Sequence, residues 1–330
     1  MDIEKITDMF GCSDIISISE LKGGHINCTY LAECGNGDKY VLQSLNTEVF
    51  REPASVMSNI GIISKAFWDS GCADVSVPEY CNAPDGRNFA ESDGQIYRLY
   101  KYTVPFESTD GQDYKTGKAF GTYIRILNEK NIRLETTVDK FHSFSSYFNT
   151  LIAADGSSAM KKIDNSVMRR FLTLPDLLSQ VFTVDFPKRN VHNDAKRDNV
   201  ILGEKSCIID LDTTMQGYAA LDYGDIIRSS CTAEKLDFRV IRNITRGFAD
   251  GLDGLLSSDE IYSLYYGILY VTGELAVRYL IDYLRDDKYF KGKTSAECLK
   301  RANELLSQLN MFITQGDVIT AIIYKEFKKN

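Results

Sequence analysis

The chain has 330 residues, of which 44% are hydrophobic and 25% charged, a composition typical of folded globular proteins and not of disordered ones. Its formal net charge of -8 at pH 7 disfavours nucleic acids and anionic membranes as partners, because both prefer basic surfaces. The length favours two packed lobes over a single core.

The first hundred residues predict a small antiparallel sheet with one helix. Strand patterns cover residues 14–20, 28–33, 39–45 and 95–102, and the turn ECGNGDK joins the second pattern to the third. Residues 53–70 predict a helix, because Pro53 stands at its start, apolar residues recur every three or four positions, and Gly71 follows.

The remainder of the chain predicts mostly helices. Helical patterns cover 110–129, 261–284 and 295–309, and the region after Phe141 is helical in character. Strand character interrupts this part at 199–211, where NVILGEKSCIIDL has two β-rich halves around a turn. Strands followed by helices predict an α+β fold. We expect an N-terminal lobe of residues 1–103 and a C-terminal lobe of residues 104–330, with the boundary near 103–105.

Cysteine usage and hydropathy indicate the compartment. The eight cysteines form no Cys-x-x-Cys pair and the three histidines show no paired ligand spacing, so no zinc site is predicted. The N-terminal segment MDIEKITDMFGC is charged and mixed, which predicts no signal peptide. The apolar stretch LYYGILYVTGELAV is interrupted and too short to span a bilayer. These features favour the reducing cytoplasm. Nothing in the sequence demands more than a monomer, and we expect a monomer or weak homodimer.

One segment carries most of the chemical information, VHNDAKRDNVIL at 191–202. It fits the pattern H-x-D-x-x-x-x-N of phosphoryl-transfer enzymes, in which the Asp accepts the hydroxyl proton and the Asn reaches a metal ion. Asp194 and Asn199 occupy these positions, and Lys196 could neutralise charge on the transferred group. The later segment CIIDLDT ends an apolar strand at Asp210, a suitable oxygen ligand for Mg²⁺.

Each of these residues also has a plain structural interpretation. His192 could be a core histidine, Asp194 and Asp198 could cap a turn, and Asp210 could be a solvated strand end. A single Asp would favour such an interpretation. The motif, the hairpin after it and the second strand that ends in Asp together favour phosphoryl transfer.

These segments resemble the aminoglycoside phosphotransferase and choline kinase superfamily, whose members share a bilobal protein-kinase-like fold. The resemblance rests on HNDAKRDNVIL at 192–202 and CIIDLDTTMQG at 207–217. Within that superfamily, GGHIN at 23–27, YVLQSLNTEVFREP at 40–53 and ELAVRYLIDYLRDDKYF at 274–290 look like the N-acetylhexosamine 1-kinases. The resemblance covers nearly the whole chain.

The resemblance implies roles at individual positions around a Mg²⁺–ATP complex. Asp194 matches the general base, and Asn199 and Asp210 match the magnesium ligands. The remaining matches are Gly23 and Gly24 over the phosphates, Lys101 and Tyr102 in the hinge segment 100–104 that meets the nucleotide base, His25, Arg278 and Tyr289 at the hexosamine, and Asp212 and Asp222 as supporting residues.

Some of these positions have more than one interpretation. Gln43 occupies the sheet position that commonly holds a phosphate-contacting Lys and is predicted to lie at the nucleotide, and the nucleotide-binding cation is left open between Lys22 and Lys101. The Gly-Gly of KGGHIN alone would indicate a hairpin turn, and His25 has the same alternative. Arg278 lies four residues after Glu274, so a helical ion pair competes with a sugar contact.

The sequence thus favours a kinase that phosphorylates the anomeric hydroxyl of an N-acetylhexosamine. The alternatives are a kinase of choline, an aminoglycoside, homoserine or another sugar, and a kinase-like binding module without catalysis. A metal phosphohydrolase built on the Asp-Leu-Asp segment has less support, because no nucleophile-bearing strand lies near the N-terminus. The gluco or galacto configuration and the choice of ATP or GTP stay open.

Overall fold

The computed structural model describes residues 3–21, 26–105, 111–130, 132–154, 163–178, 186–232, 235–285, 289–290 and 292–329. The fold is α+β, as the sequence predicts, with an antiparallel sheet in the N-terminal part and a larger helical C-terminal part.

The N-terminal part is a five-stranded antiparallel sheet with two helices. Its helices are α1 (Ile3–Asp8) and α2 (Pro53–Ser70), and its strands are β1 (Ile15–Glu20), β2 (Cys28–Cys34), β3 (Lys39–Ser44), β5 (Ala90–Ser92) and β6 (Gln95–Lys101). The strand order is β1-β2-β3-β6-β5, and β4 (Val75–Ser76) lies outside this sheet. The four predicted strands and the helix 53–70 are confirmed to within one residue at each end.

The two faces of this sheet differ, because successive side chains of a strand point to opposite sides. Leu42 of β3 and Leu99 of β6 pack on one face against Ile6 of α1 in a small apolar cluster. The neighbouring residues Gln43 and Arg98, paired across β3 and β6, therefore point to the opposite face. That face is turned towards the C-terminal part, since Arg98 contacts Asp212 there.

The C-terminal part contains nine described helices and four short strands. The helices are α3 (Gln112–Glu129), α4 (Phe144–Ala153), α5 (Asn165–Leu172), α6 (Leu174–Leu178), α7 (Ala219–Ser230), α8 (Phe238–Leu252), α9 (Ser258–Leu284), α10 (Ser295–Thr314) and α11 (Gly316–Phe327). The strands are β7 (Arg189–Val191), β8 (Val200–Ile201), β9 (Ser206–Ile208) and β10 (Met215–Gly217). β7 pairs with β10, and β9 pairs with both β8 and β4.

Helix α2 connects the sheet to the helical part. Its apolar face, with Val56, Ile60 and Ile63 at 0% exposure, belongs to the same hydrophobic cluster as helices α3, α7 and α9. The helix ends at Gly71, whose φ of 61° is a left-handed conformation that glycine adopts without a steric penalty. The predicted lobe boundary at 103–105 follows β6 directly and stays a prediction.

The hairpin and the helices predicted for the C-terminal part are present, with changes at their ends. Helix α9 starts three residues before the predicted Ile261, because Ser257 and Glu260 form a reciprocal capping box. Helix α10 continues beyond the predicted end to Thr314. Of the helix predicted at 110–129, the described part is α3. None of the described helices is both long enough and apolar enough to cross a membrane.

Candidate active site

The segment that contains Asp194 begins where β7 ends, and a buried carboxylate holds its backbone. The N–H groups of His192 and Asn193 each donate to an oxygen of Asp222 at 2.7 Å. Asp222 lies in α7 at 0% exposure. Burial raises the pKa of Asp222 to about 7, and the two N–H donors act in the opposite direction. Asp222 therefore fixes the two residues before Asp194.

His192 is a core residue. Its ring is fully buried, packs edge-on against Phe120 at 5.7 Å between centroids, and its Nε2 donates to the Ile209 carbonyl at 2.9 Å. Burial lowers the pKa of His192, which favours the neutral ring. The geometry thus supports the interpretation of His192 as a core histidine. Its contact with Ile209 joins the loop to the segment that carries Asp210.

Asp194 contacts two other polar residues of the motif, Lys196 and Asn199. Lys196 Nζ lies 2.8 Å from Asp194 Oδ2, and Asn199 Nδ2 lies 2.9 Å from the same oxygen. About a third of the Asp194 side chain is exposed, 33% by area, so that a substrate can reach it. Burial raises the pKa of Asp194, but Lys196 and the hydrogen bond from Asn199 outweigh it and the pKa is lowered. Asp194 is therefore an ionised carboxylate that a substrate can reach.

The hairpin β8–β9 brings Asn199 next to Asp210. Val200 pairs with Ile208, and the Ile209 N–H donates to the Asn199 carbonyl at 3.0 Å. Because the Asn199 amide nitrogen faces Asp194, its Oδ1 is the atom left for a metal ion. Asp210 adopts a left-handed backbone with φ of 62°, a conformation that is uncommon outside glycine and is enriched at functional sites.

The charge around Asp210 fits a divalent cation. Burial, and then the neighbouring carboxylates of Asp212 and Asp194, raise the pKa of Asp210 to about 6, against the opposing effect of Lys196. The Asp210 carboxylate and the Asn199 Oδ1 are oxygens of the kind that Mg²⁺ binds, since it takes one or two protein oxygens together with substrate phosphates. Among the described residues, no group of three or more His, Cys, Asp or Glu side chains could hold a metal alone.

The cation beside Gln43 is Arg98, a residue that the sequence analysis did not single out. Arg98 is 1% exposed, and its Nε and Nη2 lie 2.9 and 2.7 Å from Gln43 Oε1. Its guanidinium also forms an ion pair with the buried Asp212, with Nη2 3.1 Å from Oδ2. The N-terminal sheet is thereby tied to the segment that carries Asp210.

Lys101, predicted as a candidate for the nucleotide-binding cation, does not lie on the face of the sheet that carries Arg98. It pairs with Glu79 at 2.9 Å, both side chains are exposed, and strand alternation puts Lys101 on the face opposite Arg98. Lys101 and Tyr102 line an open cavity of about 260 Å³ beside the β2–β3 turn. The Tyr102 N–H donates to the Lys39 carbonyl at 2.9 Å. Their nucleotide-binding role stays a prediction.

The loop predicted to cover the phosphates is described only at its end. Gly23, Gly24 and His25, together with Lys22, lie outside the described residues. Asn27, which follows them, donates to Asp212 Oδ2 at 2.7 Å and accepts the Asn46 N–H at 3.0 Å. Asp212 therefore accepts hydrogen bonds from two segments of the N-terminal part. These contacts give it a structural supporting role.

Arg278 lies in an aromatic cage. Its Cζ is 4.7 Å from the ring centroid of Tyr289, and Phe141, Tyr147 and Phe290 lie between 5.3 and 5.6 Å. Arg278 is 4.0 Å from Glu274, whereas His142 Nδ1 is 3.1 Å from the same carboxylate oxygen. Of the two contacts of Glu274, the ion pair with Arg278 along the helix is thus weaker than the contact with His142. Arg278 is also close enough to Asp194 to be affected by its charge.

Five residues of this site were not singled out by the sequence analysis: Arg98, Phe141, His142, Tyr147 and Phe290. The first four belong to no motif, and an Arg inside a strand pattern normally indicates a solvent-facing position. A signal was available for His142 alone, since it is one of three histidines in the chain.

The fold and this group of side chains define a phosphotransferase of the protein-kinase-like type. A family model described as "Phosphotransferase enzyme family", APH, matches residues 17–255. The chain belongs to this family.

Solved structures share the fold. A microcompartment-associated aminopropanol kinase is similar over 96% of this chain and 98% of its own, with a TM-score of 0.69 and 14% identity. A choline/ethanolamine kinase family protein from Mesorhizobium loti covers 93% and 92%, with a TM-score of 0.61 and 14% identity. Spectinomycin phosphotransferase APH(9)-Ia, in complex with ADP and spectinomycin, covers 98% and 97%, with a TM-score of 0.59 and 17% identity.

Proposed function

We propose that this protein is an ATP- and Mg²⁺-dependent kinase that phosphorylates the anomeric hydroxyl of an N-acetylhexosamine or a related sugar. The observation that carries the proposal is the contact of Asp194 with Lys196 and Asn199, within electrostatic reach of the caged Arg278. This arrangement supports the proposal, because a phosphoryl acceptor next to Asp194 would lie near a cation suited to sugar oxygens.

In the proposed reaction, Asp194 accepts the proton of the sugar O1 as that oxygen bonds to the γ-phosphorus of ATP and the bond to the β-phosphate oxygen breaks. The products are the sugar 1-phosphate and ADP. Lys196 stabilises negative charge on the transferred group. Asn199 Oδ1 and Asp210 would hold Mg²⁺, which neutralises charge on the phosphates. An anomeric hydroxyl is more acidic than an ordinary alcohol, so a carboxylate is an adequate base.

The proposed acceptor follows from the charge of the cage. The Arg278 guanidinium donates hydrogen bonds to hydroxyl and carbonyl oxygens, and the face of an aromatic ring such as Tyr289 suits the apolar face of a pyranose. A buried cation repels an ammonium group, and this disfavours choline, aminopropanol and aminoglycosides. The second candidate is a kinase of another small hydroxyl compound, which the names of the structural neighbours suggest.

A panel of acceptors tests the proposal. The protein is incubated with ATP and Mg²⁺ and with N-acetylhexosamines, other neutral sugars and amino alcohols, and ADP release is measured. We expect turnover with a free N-acetylhexosamine and none with its methyl 1-glycoside, in which O1 is blocked. Turnover of the glycoside would contradict transfer to O1. Tight nucleotide binding without ADP release for any acceptor would favour a binding module.

Replacement of Arg278 by Met should affect the acceptor and not the nucleotide. Loss of a charged hydrogen-bond donor costs about 1.5–3 kcal/mol, which corresponds to about a 10- to 100-fold lower kcat/KM for the acceptor. The KM for ATP should be unchanged. Arg246→Met is the control, because Arg246 also lies over an aromatic ring, Tyr114 at 5.0 Å, but is remote and exposed. Equal losses in both variants would contradict the assignment.

Replacement of Asp210 by Ala should remove the Mg²⁺-dependent part of nucleotide binding. Calorimetric titration of ADP with and without Mg²⁺ measures it: the wild type should bind more tightly with the metal, and Asp210→Ala should show no difference. Asp253→Ala is the control, since Asp253 has a similar left-handed backbone, φ 50°, at the exposed end of α8. A retained metal effect in the Asp210 variant would contradict its role as a ligand.

A further inference from the structure

Glu274 is a buried carboxylate in the middle of helix α9. Its side chain is 1% exposed, and a buried carboxylate requires a partner that compensates for lost hydration. The nearest partner is His142, with Nδ1 3.1 and 3.3 Å from the two carboxylate oxygens. Arg278 on the same helix lies farther away, at 4.0 Å. Glu274 and His142 therefore form the main ion pair of this region.

The contacts of His142 fix its protonation state. Its Nε2 lies 2.7 Å from the carbonyl oxygen of Asn193, which can only accept, so Nε2 carries a proton. Its Nδ1 faces a carboxylate and is also a donor. An imidazole that donates from both nitrogens is the imidazolium cation. The geometry therefore requires a charged His142 beside the aromatic cage of Arg278, which is the proposed acceptor site and is called the acceptor cage below.

The Asn193 carbonyl belongs to the peptide group that leads into Asp194. Asn193 has a left-handed backbone, φ 63°, a conformation that is uncommon for a residue other than glycine. Its N–H is held by Asp222 at 2.7 Å and its C=O by His142 at 2.7 Å. The peptide before the base is thus held from α7 on one side and from His142 on the other.

We propose that His142 and Glu274 are positioning residues that hold the Asn193–Asp194 peptide, and that turnover requires the imidazolium form of His142. The inference rests on the proposed function, because it concerns the placement of the same base. It also links the acceptor cage to the base, since Phe141, which neighbours His142, is one of the rings around Arg278.

The charged groups that face His142 set the pH at which the ion pair is lost. They are Glu274 and Arg278 on α9 and Asp222 on α7. Burial lowers the pKa of His142, but Glu274 and the Asn193 carbonyl outweigh burial and raise it to about 9, while Arg278 acts against them. Because the pKa of His142 is raised above its usual 6.5, the imidazolium, and with it the ion pair, is retained at neutral pH and is lost as the pH rises through about 9.

The test replaces Glu274 by Gln, which keeps the size and an acceptor but removes the charge. The three histidines, His25, His142 and His192, give a simple imidazole NMR spectrum. We expect His142 of the wild type to titrate near pH 9 and that of Glu274→Gln at or below 6.5. If only the imidazolium form supports turnover, kcat at pH 8 falls about 30-fold in the variant. The alkaline limit of kcat should move by the same interval as the NMR midpoint.

Glu326→Gln is the matched control, because Glu326 is a buried carboxylate paired with Lys329 in the remote helix α11. It should leave both the His142 midpoint and the alkaline limit unchanged. An unchanged His142 midpoint in Glu274→Gln overturns the ion pair, and a shifted midpoint with an unchanged alkaline limit overturns the positioning role.

If Glu274→Gln does not fold, the variant His142→Gln tests the positioning role instead. Its amide can still donate to Asn193 but cannot titrate, so the alkaline limit of kcat should disappear, and a retained limit overturns the proposal. The NMR titration needs no acceptor, and the rate of ADP release in the absence of an acceptor can replace kcat as the measured rate. A failure of the sugar-kinase assignment is therefore distinguishable from a failure of this inference.

Discussion

Replacing Asp194 with Asn is expected to lower kcat by about 10²–10⁴-fold. The amide has nearly the same shape but cannot accept the acceptor's proton. Because Lys196 and Asn199 both donate to Asp194 Oδ2, the amide must also turn its oxygen towards them to keep these contacts. Initial rates of ADP release at saturating ATP and acceptor measure the effect.

Asp198→Asn is the control for this substitution. Asp198 lies in the same turn, is exposed, and should retain wild-type turnover. Nucleotide affinity of Asp194→Asn, measured separately by calorimetry, should stay within the wild-type range, since Asp194 acts on the acceptor. Near-normal turnover of the Asp194 variant would remove this residue from the role of base.

The second large effect is expected from Arg98→Met. Removing one partner of a buried ion pair leaves an uncompensated charge, here Asp212, and costs about 3–5 kcal/mol of unfolding free energy. Gln43 also loses both donors to its Oε1. Because Asp212 lies two residues after Asp210, nucleotide binding should weaken as well. Urea unfolding and ADP titration measure the two effects.

A double variant separates stability from function at this ion pair. Arg98→Met combined with Asp212→Leu should recover much of the lost stability, because no buried charge is left unpaired. It should not recover nucleotide binding, since the tie between the sheet and the Asp210 segment is lost. The exposed pair of Arg87 and Asp85 provides the control, and Arg87→Met should leave the free energy of unfolding close to that of the wild type. Full stability of Arg98→Met alone would contradict this account.

The fold could be predicted to a large extent because its elements have local signals. The period of apolar residues and the flanking Pro53 and Gly71 define α2 without any knowledge of its neighbours. The strands β2, β3 and β6 have alternation and turns that are equally local. Strands β7 and β10 were missed, since each has three residues and acquires its identity only by pairing with the other.

The site was predicted where chemistry depends on close spacing. Asp194, Lys196 and Asn199 lie within six residues, and the hairpin that follows returns the chain to Asp210, so their convergence follows from short-range structure. The contacts of Asp194 with Lys196 and Asn199 fit that expectation. The roles of these residues in catalysis stay predictions for the experiments above.

By itself the sequence determined the α+β class, the order of the longer strands and of helices α2, α3, α9 and α10, and a motif that indicates phosphoryl transfer. Tertiary structure alone decided which charges become buried. Arg98 meets Asp212 across 114 positions of the chain, and His142 meets Glu274 across 132. A charged residue in a strand or loop gives no local sign of such a partner, because burial and pairing arise only when distant segments pack together. The cation beside Gln43 and the contacts of His142 with Glu274 and Asn193 are therefore properties of the folded chain.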